Sequence, residues 1–179
     1  AEYRSGLEEI IKAGVIADPE LFAAFESAGG DGRELRWMVE RALAVKIDVV
    51  QQDPYERGRR AVLNLGHTFA HAFEVLSDYQ LAHGLAVSIG MAAAAHLAEL
   101  RGVCSDETRV RIVSALERAD LPTRYDAHAP AEVYAAMAMD KKRLNSRLRF
   151  VLPRAIGQVE VDGDVPAEQV LAALERSRA

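Results

Sequence analysis

Apolar positions recur at helical spacing over most of the chain. In RRAVLNLGHTFAHAFEVLSDY (59–79), Leu65, Phe69, Phe73 and Leu76 fall four, four and three residues apart, on one side of an α-helix. Arg60, Asn64, His67, His71 and Glu74 follow at intervals of four, three, four and three and make a second stripe opposite. A solvated face ordinarily collects Lys, Glu and Gln. This one holds two imidazoles, a guanidinium, an amide and a carboxylate.

The same periodicity predicts further helices. Ser5 can cap a short one over GLEEIIKAG, which Gly14 helps to end. Asp18 opens another over ADPELFAAFES, with Pro19 at its first position. GGDG (29–32) is a loop. RELRWMVERALAVKIDVVQQD then reads as a long amphipathic helix with Leu35, Met38, Val39, Ala42, Leu43 and Val49 toward the core, broken by PYERG (54–58). Helices near 84–101, 105–119, 130–139 and 166–177 complete the set. Only RLRFVLP (147–153) and GQVEVDG (157–163) alternate like strands, which predicts a hairpin. No internal repeat or low-complexity tract interrupts the pattern, so 1–179 reads as a single, mainly α domain with a small β-hairpin near its end.

Composition changes the picture at a few points. At 179 residues the chain can bury a real core. Its net charge of −5 leaves no basic stripe for phosphate backbones, which argues against nucleic acid as a partner. Cys104 is the sole cysteine, so no internal disulfide forms, and a reducing cytoplasm is the expected location. The window LAHGLAVSIGMAAAAHLAEL (81–100) is as long as a membrane span. It carries His83, His96 and Glu99, however, and draws its apolarity largely from alanine, so it reads as a buried helix rather than a membrane segment. AEYRSGLEEIIKAG has no apolar targeting core, and the lack of an initiator Met suggests a piece of a longer protein.

Four features carry candidate chemistry. His67 and His71 stand one turn apart, a spacing that lets two imidazoles converge on a metal, although ordinary histidines also fall so. His83 opens the alanine-rich helix beside Gly84. Lys46 lies within the apolar stripe of its helix, where a lysine snorkels out, pairs with an acid or serves a site. Glu9 and Lys12 share a helix face, as do Glu8 and Lys12. A surface pair of that kind contributes about 0.2–0.5 kcal/mol, and spacing does not choose between the two glutamates. Taken together, imidazoles and a carboxylate make a three-ligand zinc site with an open position. Lysine, arginine and asparagine beside it would hold a carboxylate or phosphate.

RSGLEEIIKAGVIADPELF, LNLGHTFAHAFE, HGLAVSIGM and DKKRLNSRLRFVLPRAIGQVEV resemble the C-terminal domain of the 3-dehydroquinate synthases, members of the sugar-phosphate cyclases. The resemblance runs from about residue 3 to 165. It implies a multi-helical, dehydroquinate-synthase-like C-terminal fold. It also implies Glu9, His67 and His83 as ligands of Zn²⁺ or Co²⁺, from the family motifs GLAEVIK, GHTxxHA and HGEAV. Lys12, Lys46, Arg60, Asn64 and His71 are implied as substrate contacts, with one phosphate contact from Lys141 or Lys142. The implied reaction converts the sugar-acid phosphate DAHP to 3-dehydroquinate and phosphate, with NAD bound mainly by an N-terminal domain that this chain does not contain. A homodimer is the implied assembly, and this half alone is expected to bind zinc without turnover.

Leu85 departs from the family, which has glutamate in HGEAV, so the carboxylate next to His83 is lost. The nearest rivals are other cyclases, such as those making 2-epi-5-epi-valiolone or an amino analogue of dehydroquinate. Metal-dependent polyol dehydrogenases stand further off. A non-catalytic helical interaction module is the rival from another class.

Overall fold

A computed structural model describes residues 2–28, 34–55, 58–143 and 148–178. The helices are α1 (Glu2–Ile16), α2 (Pro19–Ala28), α3 (Leu35–Gln52), α4 (His67–Leu76), α5 (His83–Leu100), α6 (Asp106–Arg118), α7 (Pro130–Arg143) and α8 (Ala167–Arg176). Strands β1 (Phe150–Ala155) and β2 (Gln158–Asp162) form the antiparallel hairpin, with Leu152 opposite Glu160. The mainly helical reading and the late hairpin both hold. The expected 29–32 loop lies outside the described residues.

α5 runs through the centre. Nearly every side chain from Gly84 to Ala98 is buried, and α1, α4, α6, α8 and β1 pack around it. Its alanines and glycines explain this, because short side chains let neighbours approach from several directions. Among the described residues no helix is long and apolar enough to cross a membrane.

Three local expectations are corrected. α1 starts at Glu2, ahead of Ser5, and runs past Gly14 to Ile16. Gly14 does not end the helix; a Cβ there would come within 2.9 Å of the Phe22 Cβ, so the glycine admits α2. Residues 59–79 are not one helix. Arg59–Asn64 form a 3-10 turn, Gly66 takes a left-handed φ of 82°, and α4 begins only at His67. Gly66 lies in close contact with α5, where an added Cβ would stand 2.8 Å from both the Met91 nitrogen and the Val87 oxygen. Finally, α3 buries Met38 and Val49 and packs Leu35, Ala42 and Val45 on the core, but exposes Val39 and Leu43. The helix touches its neighbours along the single 38–42–45–49 stripe, so residues one step further round face water.

Asp18 opens α2 as its sequence position predicts. Its Oδ1 accepts the Leu21 N–H at 3.0 Å, and its two oxygens accept from the Arg41 guanidinium at 2.7 Å each, tying α3 to the start of α2. The Arg41 hydrogen bonds hold this carboxyl below its ordinary pKa. A depressed carboxyl contributes stability above its unfolded value, about 3.9, and loses it as pH falls through the lower folded value. Asp18→Ala is expected to cost about 1–2 kcal/mol at pH 7. The gap between the urea midpoints of the two proteins should narrow at pH 3; an equal gap at both pH values would contradict the assignment.

Candidate metal centre

The broken stripe still converges. A cleft of about 190 Å³ is lined by Glu9 and Lys12 from α1, Lys46 from α3, Arg60, Leu63 and Asn64 from the 3-10 turn, and His67 at the head of α4. The left-handed Gly66 turns the chain between the last two groups, and its packing on α5 fixes where His67 emerges. Asp53 braces the turn by accepting the N–H groups of Gly58 at 2.8 Å and Arg60 at 3.0 Å, while the Arg60 guanidinium donates to the Pro54 carbonyl at 3.0 Å.

His83, the first residue of α5, brings its ring to 5.3 Å from that of His67. His71 is exposed, does not line the cleft, and stands edge-on with its ring 6.0 Å from His67. The side chains of Lys141 and Lys142 lie outside the described residues.

Both facing imidazoles are held in the same tautomer. His67 Nδ1 is 3.2 Å from the Leu65 carbonyl oxygen, and His83 Nδ1 is 3.0 Å from Glu74 Oε1. Those oxygens accept, so each Nδ1 carries a proton and each Nε2 is the nitrogen left for a cation. Burial, helped by the Lys12 ammonium, pushes the His67 pKa down to about 4, so the ring is neutral at pH 7. The neutral His67 imidazole beside His83, each with Nδ1 turned to an oxygen, suits a borderline-soft cation such as Zn²⁺ or Co²⁺.

The third donor is engaged elsewhere. Glu9 Oε1 accepts from Lys12 Nζ at 2.7 Å, and its Oε2 lies 3.6 Å from Lys46 Nζ. Among the described residues no three His, Cys, Asp or Glu side chains stand in a ligating array, because this carboxylate faces the two ammonium groups. Burial raises the Glu9 pKa, but the Lys12 ammonium, its hydrogen bond and Lys46 outweigh it and hold the carboxyl below its ordinary value. Glu9 and His67 nonetheless share the cleft, so the donor set fits a metal once Glu9 turns from lysine to cation. Lys46 is 57% exposed along its side chain and reaches this acid from outside, combining the snorkelling and pairing readings.

Two participants were not legible in the residue pattern. Glu74 was one more polar position on a stripe; the fold places its Oε1 3.0 Å from His83 Nδ1, across from a different helix. Its signal is the 3.6-residue period from His67 through His71. Glu8 is the second. Nothing in the spacing separates it from Glu9, yet it is 1% exposed, with Oε1 3.3 Å from Lys12 Nζ.

The family described as 3-dehydroquinate synthase C-terminal matches residues 6–143. The 3-dehydroquinate synthase of Rhodopirellula baltica is 41% identical over 97% of this chain and 48% of its own length, and that of a Synechococcus species is 40% identical over 98% and 49%. The chain therefore spans about half the length of the curated relatives it matches. Among solved structures, a 2-epi-5-epi-valiolone synthase from Streptomyces hygroscopicus with NAD⁺ and Zn²⁺ bound superposes with a TM-score of 0.85 at 28% identity, covering 97% of this chain and 50% of that one. A 2-deoxy-scyllo-inosose synthase with Co²⁺ and NAD⁺ shares the fold, with a TM-score of 0.77 at 17% identity over 98% of this chain and 51% of its own. The family match over residues 6–143 and a relative 41% identical over 97% of the chain lead to one assignment: the chain belongs to the 3-dehydroquinate synthase C-terminal family.

Proposed function

We propose that this chain is the metal- and substrate-binding half of a 3-dehydroquinate synthase, which forms 3-dehydroquinate and phosphate from DAHP. The observation that carries the reading is the single cleft in which Glu9, Lys12, Lys46, Arg60, Asn64 and His67 meet, with the His83 ring 5.3 Å from His67. Three cationic side chains around one opening suit a substrate that is both a carboxylate and a phosphate ester.

Glu9, His67 and His83 would hold Zn²⁺ or Co²⁺, which when bound supplies Lewis acidity to a substrate hydroxyl and the ketone derived from it. NAD⁺, held mainly by an N-terminal domain, supplies the hydride chemistry. The work of this chain is placement. Lys12, Lys46 and Arg60 neutralise and orient the anionic substrate, Asn64 offers amide donor and acceptor groups to its hydroxyls, and His71, one turn beyond His67, makes a further substrate contact. Lys141 or Lys142 adds a phosphate contact. Holding one substrate through successive steps limits rearrangement between them, which is where positioning lowers barriers. The working assembly is a cytoplasmic homodimer of two-domain chains.

The test supplies an NAD-binding domain in trans or in one polypeptide. Phosphate release from DAHP with NAD⁺ and zinc is expected only when the NAD-binding domain is present. Release by this chain alone would overturn the division of labour, and preference for a sugar phosphate lacking the carboxylate would transfer the assignment to another cyclase.

A further inference from the structure

Among the described residues, Glu8 is the one buried carboxyl group at the site that the proposed chemistry leaves without a task. It sits on α1 between Leu7 and Glu9, 1% exposed, and its Oε1 has no hydrogen-bond partner of good geometry although Lys12 Nζ is 3.3 Å away. Lys12 is itself 4% exposed and donates its strong hydrogen bond to Glu9 at 2.7 Å. One buried ammonium therefore faces two carboxylates and bonds closely to only one. An ammonium buried this deeply is costly to keep without a close anionic partner.

That need arises when Glu9 serves as a metal ligand. The oxygen now given to Lys12 must turn toward His67 and His83, and a buried ammonium would then face a divalent cation with its partner withdrawn. We propose that Glu8 is a positioning residue that takes over Lys12 as Glu9 turns to the metal, an inference that rests on the reading of Glu9, His67 and His83 as ligands. The exchange requires little motion, since Lys12 is already within 3.3 Å of both acids. It keeps Lys12 in the cleft and charged, ready for an anionic substrate.

The experiment is a double-mutant cycle on this chain, read as zinc affinity by competition with a chromophoric chelator at constant pH. Glu8→Gln is expected to weaken zinc binding about tenfold, the size of effect seen when a partner of the ligand shell is removed. Lys12→Met should bind zinc at least as tightly as the parent, because Glu9 no longer has to leave an ammonium. In the Lys12→Met background there is no ammonium to take over, so adding Glu8→Gln should change affinity by less than about twofold. A loss in Glu8→Gln that Lys12→Met does not share excludes a general loss of folding as the cause, and Glu8→Ala supplies a second replacement if the amide is not accommodated. Unchanged affinity in Glu8→Gln, or an equal loss in both backgrounds, would overturn the proposal. Zinc affinity that ignores His67→Ala would instead overturn the metal reading beneath it, so the two failures are distinguishable.

Discussion

His67→Ala is expected to strip the chain of stoichiometric zinc, with an affinity loss exceeding the roughly 10–100-fold that follows removal of a ligand's hydrogen-bond partner. His67 lines the cleft with Glu9, and its Nδ1 is committed to the Leu65 carbonyl, so its Nε2 is the atom left to bind. The informative comparison is with the other two histidines. His83 lies 5.3 Å from His67 ring to ring and is oriented by Glu74, whereas His71 lies 6.0 Å away and is exposed. Metal content after exhaustive dialysis should therefore fall in His83→Ala as it does in His67→Ala, and persist in His71→Ala. Loss in His71→Ala with retention in His83→Ala would restore the simple i, i+4 pair as the binding unit. Retention in all three would leave a helical module with packed histidines as the better description.

Gly90→Ala is expected to be the most damaging small substitution in the chain. Its added methyl would stand 2.1 Å from the Gly66 carbonyl oxygen and 2.9 Å from the carbon that bears it. Both are backbone atoms of a residue held at a φ of 82°, so no flexible side chain can move aside. Overpacking of this kind costs about 3 kcal/mol or more, a large part of the roughly 5–15 kcal/mol that holds a domain together. Gly66 also fixes where His67 leaves the chain, so surviving folded protein should bind zinc less tightly. The control is Gly6→Ala on α1, where an added Cβ meets nothing within 4 Å. That change should raise stability by about 0.5–1 kcal/mol. Thermal melts of the two variants should therefore shift in opposite directions, and similar shifts would contradict the packing account.

Much of this fold was legible because its helices obey one period. The alanine-rich segment read as buried, the hairpin as late and isolated, and Asp18 as the opening of α2; all three are where the pattern put them. The failures share a physical cause. Periodicity describes a helix in isolation, and the corrected positions were decided by contacts with other helices. Gly14 resembles a helix terminator until Phe22 fills the space it leaves. Val39 and Leu43 resemble core residues until α3 turns out to touch its neighbours along one narrow line. Gly66 divides the 59–79 segment because its place against α5 demands a left-handed backbone. The site shows the same division. Residue types and spacing assembled its members, but the tie between Glu74 and His83 spans nine residues and two helices, and burial alone distinguishes Glu8 from Glu9.

A helix wrapped by neighbours on all sides is among the last parts of a protein to open to solvent. His83 sits at the tip of that helix, and His67 springs from the glycine pressed against its flank. Lys46, in contrast, hangs from a helix whose far side is bathed in water. An arriving anion thus meets two nitrogens rooted in the stiffest beam of the molecule and an arm free to sweep in from its pliant edge.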